Sequence, residues 1–270
     1  MGIGFQKIKA ALLEVDAKLR ELTQDQMERA PDEVYGAHLN RLNRLAAASV
    51  PDDVVQRLLA DPDLGLAISR ISQAKRQNGL RLEIQLAHSL ISAPDPWARL
   101  RQFVFYPNYL ALARMESEGA GLHTGDRAAF LGSGPLPLSL ICLSKGYGIQ
   151  GVGIEQEEGH AALSEAVIRR LGLKDGIRII CGNHFAFPLR RPCRLIMVGV
   201  DAVPKAEIFA HLAQVLDPGR MISYRVYEKG LRRLFDTGAE ITPPPQFREC
   251  ARIQPEPPVN NTCVFAVKVS

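Results

Sequence analysis

An apolar run that ends in two glycines and two prolines constrains the fold of this chain more than any other segment. Residues 127–131 are Arg-Ala-Ala-Phe-Leu, and Gly-Ser-Gly-Pro-Leu-Pro-Leu follows at 132–138. The glycines let the backbone bend tightly at the end of a strand. Because proline has no N–H group, both prolines are expected at or just before a helix start, where donors are unpaired anyway. The run therefore predicts the first strand-to-helix turn of a Rossmann-like domain.

The same turn indicates which kind of ligand it holds. A phosphate-binding loop relies on free backbone N–H donors, and this loop gives some of them up to proline. We therefore interpret Gly132, Ser133, Gly134 and Pro135 as holding the amino-acid end of S-adenosylmethionine (SAM). Another nucleotide and a purely structural turn are the alternatives.

The period of the apolar residues changes at about residue 125. Before it they recur every three or four residues, as in helices; after it short β-rich runs alternate with helices, which favours a parallel sheet. We predict an N-terminal helical domain at 1–124 and an α/β Rossmann-like domain at 125–270. The predicted strands are 127–131, 150–154, 177–180, 195–200, 221–226, 248–253 and 262–269. The last two are joined without room for a helix, and such an antiparallel hairpin is typical of class I SAM-dependent methyltransferase folds.

Residues just after the parallel strands are candidates for the cofactor site, because ligands of such folds bind at the carboxyl ends of the strands. Glu155 is placed to accept hydrogen bonds from ribose hydroxyls, and Asn183 to bond the adenine edge. Val200 and Asp201 would line the floor. Taken alone, Glu155 also fits a solvated acid at a helix start and Asn183 a turn residue.

Composition and charge exclude several classes of function. The net charge of +4 is not concentrated in any basic, aromatic-rich window, so no nucleic-acid partner is expected. The histidines lack metal-ligand spacing, and no apolar stretch reaches the roughly 18 residues of a membrane span. Five scattered cysteines without a C-x-x-C pair, and no signal-peptide pattern, indicate a cytoplasmic protein.

At this point the chain resembles the nicotianamine synthase-like family. The 132–138 run carries most of the resemblance, and weaker motifs support it in the same order along the chain. These are Leu82-Glu83, Tyr106-Pro107-Asn108-Tyr109-Leu110, Met115-Glu116, Tyr224-Arg225 and Gly230-Leu231-Arg232.

The resemblance implies a redirected use of SAM. In this family an amine attacks the γ-carbon of the amino-acid chain of SAM, and methylthioadenosine leaves. Carried onto this sequence, Glu83 is the base, Tyr106 and Tyr109 orient the amine, and Arg225 clamps a carboxylate. The helical domain would cover the acceptor. The residues alone also fit a surface acid at Glu83 beside Arg81, tyrosines in the core, and a structural ion pair at Arg225.

Within the family, the compact chain and its composition, rich in Ala, Arg and Leu, favour the bacterial opine-metallophore branch. That branch implies transfer of one aminobutyrate group to histidine, no metal cofactor, and a downstream opine dehydrogenase as partner. Nicotianamine synthase proper and a small-molecule SAM methyltransferase are alternatives. A non-catalytic SAM-binding protein is the alternative from a different class.

Overall fold

The computed structural model describes residues 4–21, 42, 45–46, 50–186, 193–235 and 242–270. Contacts divide the chain into two compact units, one of Met1–Arg81 with Tyr227–Glu240 and one of Leu82–Val226 with Ile241–Ser270. This division differs from the expected boundary at 124/125, because the helices between residues 82 and 120 share an apolar core with the strands. That the helical part covers the acceptor stays a prediction.

Eight α-helices lie in the described ranges. They are α1 (Phe5–Arg20), α2 (Asp52–Leu59), α3 (Gly65–Ser92), α4 (Pro96–Arg101), α5 (Tyr106–Ala120), α6 (Leu138–Tyr147), α7 (Glu158–Arg170) and α8 (Lys205–Val215). None of these described helices is both long and apolar enough to cross a membrane.

The first unit is helical, as its periodicity predicts. The apolar face of α1 packs with residues of α2 and of the first part of α3, including Val15, Leu58 and Ile71. Asp16, fully buried on α1, accepts hydrogen bonds at 2.6 and 2.8 Å from the guanidinium of Arg70. Helix α2 begins at Asp52, directly after Pro51, and has two acidic residues, Asp52 and Asp53, in its first turn.

The second unit contains one seven-stranded sheet. Its strands are β1 (Arg127–Leu131), β2 (Gln150–Glu155), β3 (Ile177–Cys181), β4 (Leu195–Val198), β5 (Met221–Val226), β6 (Phe247–Ile253) and β7 (Thr262–Lys268). Their order across the sheet is β3-β2-β1-β4-β5-β7-β6. The first five strands are parallel, and β7 is antiparallel to both of its neighbours. The predicted parallel sheet with an antiparallel hairpin at one edge is confirmed; β4 ends two residues earlier than expected, at Val198, and β7 one residue earlier, at Lys268.

Each face of this sheet carries its own apolar core. Leu90 of α3, Leu112 of α5 and Ile141 of α6 belong to one core, together with Phe265 of β7. Phe209 and other residues of α8 form the second core with strands β1, β4 and β5. The strand order reverses between β1 and β4, so the carboxyl ends of these two strands open the crevice in which ligands of such sheets bind.

Candidate functional site

The glycine-proline loop lies where the sequence predicted it, between β1 and α6. Helix α6 begins at Leu138, so Pro135 and Pro137 both precede it. Gly132 and Gly134 have φ angles of +74° and +71°, a backbone conformation that side chains with a Cβ rarely adopt. A Cβ on Gly132 would also lie 2.9 Å from the Cβ of Ala202, so the loop is held close to the segment that follows β4.

The backbone donors of this loop are used inside the protein. The N–H groups of Gly132 and Ser133 both donate to the carbonyl of Ile154, at 3.0 and 3.1 Å. The N–H of Gly134 donates to Oε2 of Glu155 at 2.8 Å, and Pro135 has no donor. A phosphate cradle needs such donors free, so this loop is poorly suited to a pyrophosphate.

Glu155 is fixed as the last residue of β2. Its side chain is 7% exposed; Oε2 accepts from Gly134, and Oε1 accepts from the N–H of Glu157 at 3.0 Å. An ionised carboxylate has about four acceptor positions. Capacity therefore remains for two hydroxyl donors of a ligand, which is what a ribose offers.

Glu83 of α3 faces this loop. The hydroxyl of Tyr109 on α5 donates to Oε1 of Glu83 at 3.0 Å. A Cβ placed on Gly134 would lie 3.3 Å from Oε2 of Glu83, so the carboxyl sits directly beside the glycine. Arg81, two residues before Glu83, donates to Oδ1 of Asn78 at 2.8 Å.

The surroundings of Glu83 raise its pKa to about 7. Burial of the carboxyl is the largest cause, the hydrogen bond from Tyr109 opposes it, and the charges of Asp201 and Glu155 add to it. A carboxyl group with a pKa near 7 can accept a proton at neutral pH and release it again. This is the property required of a general base.

The carboxyl groups of Glu83, Glu155 and Asp201 are therefore close enough to influence one another electrostatically beside the loop, and together they make this region negative. A phosphate would be repelled there, whereas a sulfonium or ammonium cation would be attracted. Among the described residues, no group of three or more His, Cys, Asp and Glu side chains is arranged to hold a metal ion.

The other predicted cofactor residues lie at the same edge of the sheet. Asn183 follows β3, and its Oδ1 accepts from the N–H of Phe185 at 3.0 Å. This is the contact of a turn residue, the alternative role that the sequence allowed for Asn183. Its amide NH₂ group can still donate to a ligand. Val200 and Asp201 follow β4. Tyr106 is the first residue of α5, and partial burial raises the pKa of its phenol.

Arg225 forms a structural ion pair with Glu116, which was the alternative to a role in binding a substrate carboxylate. Its Nε donates to Oε1 of Glu116 at 3.0 Å, and an Nη nitrogen donates to Oγ of Ser139 at 2.8 Å. Sequence reasoning assigned no role to Glu116 or Ser139. The available sequence signal was the Met115-Glu116 motif, in which an acid directly follows an apolar residue in a helical segment.

The chain is similar in sequence to nicotianamine synthases and to a histidine aminobutanoyltransferase. A family model described as "Nicotianamine synthase protein" matches residues 6–166 and 195–270. L-histidine 2-aminobutanoyltransferase of Pseudomonas aeruginosa is 23% identical over 225 residues, which cover 83% of each chain. Nicotianamine synthase 1 of Hordeum vulgare is 27% identical over 198 residues; the match covers 67% of this chain and 59% of the barley protein.

Among solved structures, MtNAS is similar along nearly its whole length. Its complex with MTA and tNA superposes with a TM-score of 0.88 and 29% identity, over 98% of both chains. A glutamate-to-glutamine mutant of MtNAS in complex with S-adenosylmethionine gives the same TM-score and identity, over 97% of this chain. The family match over most of the sequence, with a fold shared from end to end, means that this chain belongs to the nicotianamine synthase family.

Proposed function

We propose that this protein transfers the 3-amino-3-carboxypropyl (aminobutyrate) group of SAM to an amine and releases methylthioadenosine. The observation that carries the proposal is the Glu83 carboxyl, with a pKa of about 7, beside the Gly134 loop and hydrogen-bonded to Tyr109. SAM-bound MtNAS supports the choice of cofactor. Gly132, Ser133, Gly134 and Pro135 would hold SAM, with Glu155 on the ribose.

The cofactor end of the site extends over the neighbouring strand ends. Asn183 would donate its free amide hydrogens to the adenine, and Val200 and Asp201 would form the floor. A net negative site suits SAM, which carries a positive sulfonium and a positive α-ammonium group.

In the reaction, the acceptor amine first loses a proton to the Glu83 carboxylate. The nitrogen lone pair then forms a C–N bond to the γ-carbon of SAM, the C–S bond breaks, and its electron pair stays on sulfur as neutral methylthioadenosine. Tyr109 holds Glu83 in place, and Tyr106 at the start of α5 would orient the amine. Attack on the γ-carbon rather than the methyl group depends on which carbon the amine meets in line, at about 3–3.5 Å.

We further propose that the acceptor is histidine, with the product passed to an opine dehydrogenase in metallophore biosynthesis. The support is the Pseudomonas aeruginosa histidine enzyme, matched over 83% of both chains. Nicotianamine synthesis is the second candidate, because MtNAS is matched over 98% of both chains. Cytoplasmic localisation is part of the proposal and fits the five cysteines, none of which forms a disulfide: Cys142, Cys181, Cys193, Cys250 and Cys263.

Incubation of the protein with SAM and L-histidine is expected to yield histidine heavier by one aminobutyrate unit, together with methylthioadenosine, as measured by mass spectrometry. D-histidine and glutamate are the matched acceptor controls. Formation of nicotianamine from SAM alone would overturn the proposal that histidine is the acceptor and would support the second candidate, nicotianamine synthesis. S-adenosylhomocysteine with a methylated acceptor would identify a methyltransferase, and absence of SAM turnover with every amine would contradict an enzymatic function.

Replacement of Tyr109 by phenylalanine is expected to lower turnover by roughly 10-fold or more, because a hydrogen bond to a charged group contributes about 1.5–3 kcal/mol. The same change removes the contact that lowers the pKa of Glu83, so the rising limb of the pH–rate profile should move to higher pH. Tyr106→Phe, the matched control on the same helix, should cause a smaller loss and no such shift. Equal effects of the two variants on the pH profile would contradict the role given to Tyr109.

A further inference from the structure

A buried polar network joins three elements of the unit that contains the sheet. Arg225, near the end of β5, is 6% exposed, and its partner Glu116 on α5 is 1% exposed. The third member, Ser139, is fully buried in the first turn of α6. The guanidinium of Arg225 also lies 5.6 Å from the ring centroid of Phe130 on β1.

Each member of this network is adjacent to a part of the candidate site. Glu116 comes seven residues after Tyr109 on α5, which places both on one face of that helix, two turns apart. Ser139 follows the glycine-proline loop directly. Tyr109 is also close enough to Arg225 to interact electrostatically with it. The network therefore connects the helix that carries Tyr109 to the helix that begins where the cofactor loop ends.

A gain in folding stability does not account for this network. Buried ion pairs are often no more stabilising than apolar residues of similar volume, because both charges lose their hydration. Here the compensation is incomplete as well, since Oε2 of Glu116 is buried without a hydrogen-bond partner. Burial is the largest influence and lowers the pKa of Arg225, but the Glu116 carboxylate and the neighbouring Cys263 and Tyr109 together raise it above its usual value, so the guanidinium stays charged.

We propose that Arg225 and Glu116 are positioning residues that hold Tyr109 and the cofactor loop in register, so that the Tyr109 hydroxyl keeps its contact with Glu83. This inference rests on the proposed function of Glu83. A guanidinium suits the task because its planar fork donates in two fixed directions, here to α5 and to α6.

The test is the double variant Glu116→Leu/Arg225→Met, compared with each single variant. Each single change leaves one charge buried without its partner and is expected to lower the melting temperature, whereas the double variant should regain most of it. If the pair positions Tyr109, the stable double variant should still lose roughly 10-fold in kcat, with less than about a 2-fold change in KM for SAM. A purely structural pair would leave both constants of the double variant unchanged.

The pH–rate profile gives a second readout. Tyr109, Asp201 and Glu155 are the groups that act on Glu83, so a loosened Tyr109 should let the pKa of Glu83 rise and move the activity limb to higher pH. Around Arg225 the remaining titratable neighbours are Cys263 and Cys142, whose pKa values burial raises to about 12, so neither titrates near neutral pH.

Adding Tyr109→Phe to the double variant should cause little further loss, because both changes break the same contact. Independent, multiplying losses would overturn the inference, as would wild-type kcat and pH profile in the double variant. If the double variant does not fold, Ser139→Ala serves in its place, because it removes only the hydrogen bond between Arg225 and α6. It should lower kcat a few-fold and shift the pH–rate profile in the same direction. A Ser139→Ala variant with unchanged kcat and pH profile would overturn the inference. An unchanged turnover in Glu83→Gln would instead refute the proposed function.

Discussion

Glu83→Gln is expected to reduce turnover at neutral pH by roughly 10²–10⁴-fold, the usual contribution of a positioned base. Glutamine keeps the size of the side chain but cannot take a proton from the acceptor. The affinity for SAM, measured by calorimetry, should change little, because the proposed SAM contacts come from the 132–135 loop and Glu155, and Glu155 and Asp201 keep the site negative. Raising the pH should partly rescue the variant, since more of the acceptor amine is then already deprotonated.

Glu165→Gln is the matched control, because it makes the same change at an exposed position of α7. It should leave both turnover and SAM affinity unchanged. A Glu83→Gln protein that keeps near-normal turnover at neutral pH would remove Glu83 from the mechanism.

The raised pKa of Glu83 also predicts a change in stability. A pKa of about 7 in the folded protein against 4.5 for an ordinary glutamate means that the folded state binds this proton more tightly. The group therefore lowers the free energy of unfolding progressively as the pH rises from about 4.5 to 7, by about 3 kcal/mol above pH 7. Glu83→Gln should accordingly be more stable than the wild type at pH 8 and similar to it at pH 4, as measured by chemical denaturation.

Gly134→Val is expected to reduce SAM affinity by roughly 100-fold or more. Valine is strained at a φ of +71°, at a cost of about 1–3 kcal/mol, and its side chain would enter the space beside Oε2 of Glu83. The strain would also disturb the hydrogen bond from the Gly134 N–H to Glu155. Calorimetry with SAM measures the effect.

Gly146→Val is the control for this substitution, because Gly146 lies within α6 with open space around it and an ordinary helical backbone. Its SAM affinity should match that of the wild type. A folded Gly134→Val protein with unchanged SAM affinity would contradict the placement of the cofactor at this loop.

Local sequence patterns were sufficient to predict the sheet. Short β-rich runs bounded by glycine and proline identified all seven strands of the described residues, and the missing helix before Thr262 identified the hairpin. Rules for the carboxyl ends of parallel strands then placed Glu155 and the 132–135 loop together, as the hydrogen bond between Glu155 and Gly134 bears out.

Contacts between distant segments could not be predicted in the same way. Tyr109 and Glu83 are 26 residues apart, and Arg225 and Glu116 are 109 residues apart. Nothing in the period of either segment shows which side chains will meet, because that depends on how α3, α5 and β5 pack together. The family resemblance named Glu83, Tyr109 and Arg225 as candidates, but only the packing shows that Arg225 is joined to Glu116.

The order of elements along the chain has a consequence for synthesis on the ribosome. Strand β7 lies between β5 and β6, although it follows both in the sequence, and the first compact unit needs Tyr227–Glu240 to be complete. Translation proceeds at about 5–20 residues per second. Roughly ten seconds or longer therefore pass between synthesis of the first helices and synthesis of the 227–240 segment that belongs to the same unit. We expect the half-built sheet to expose the edge of β5 until β7 has been synthesised.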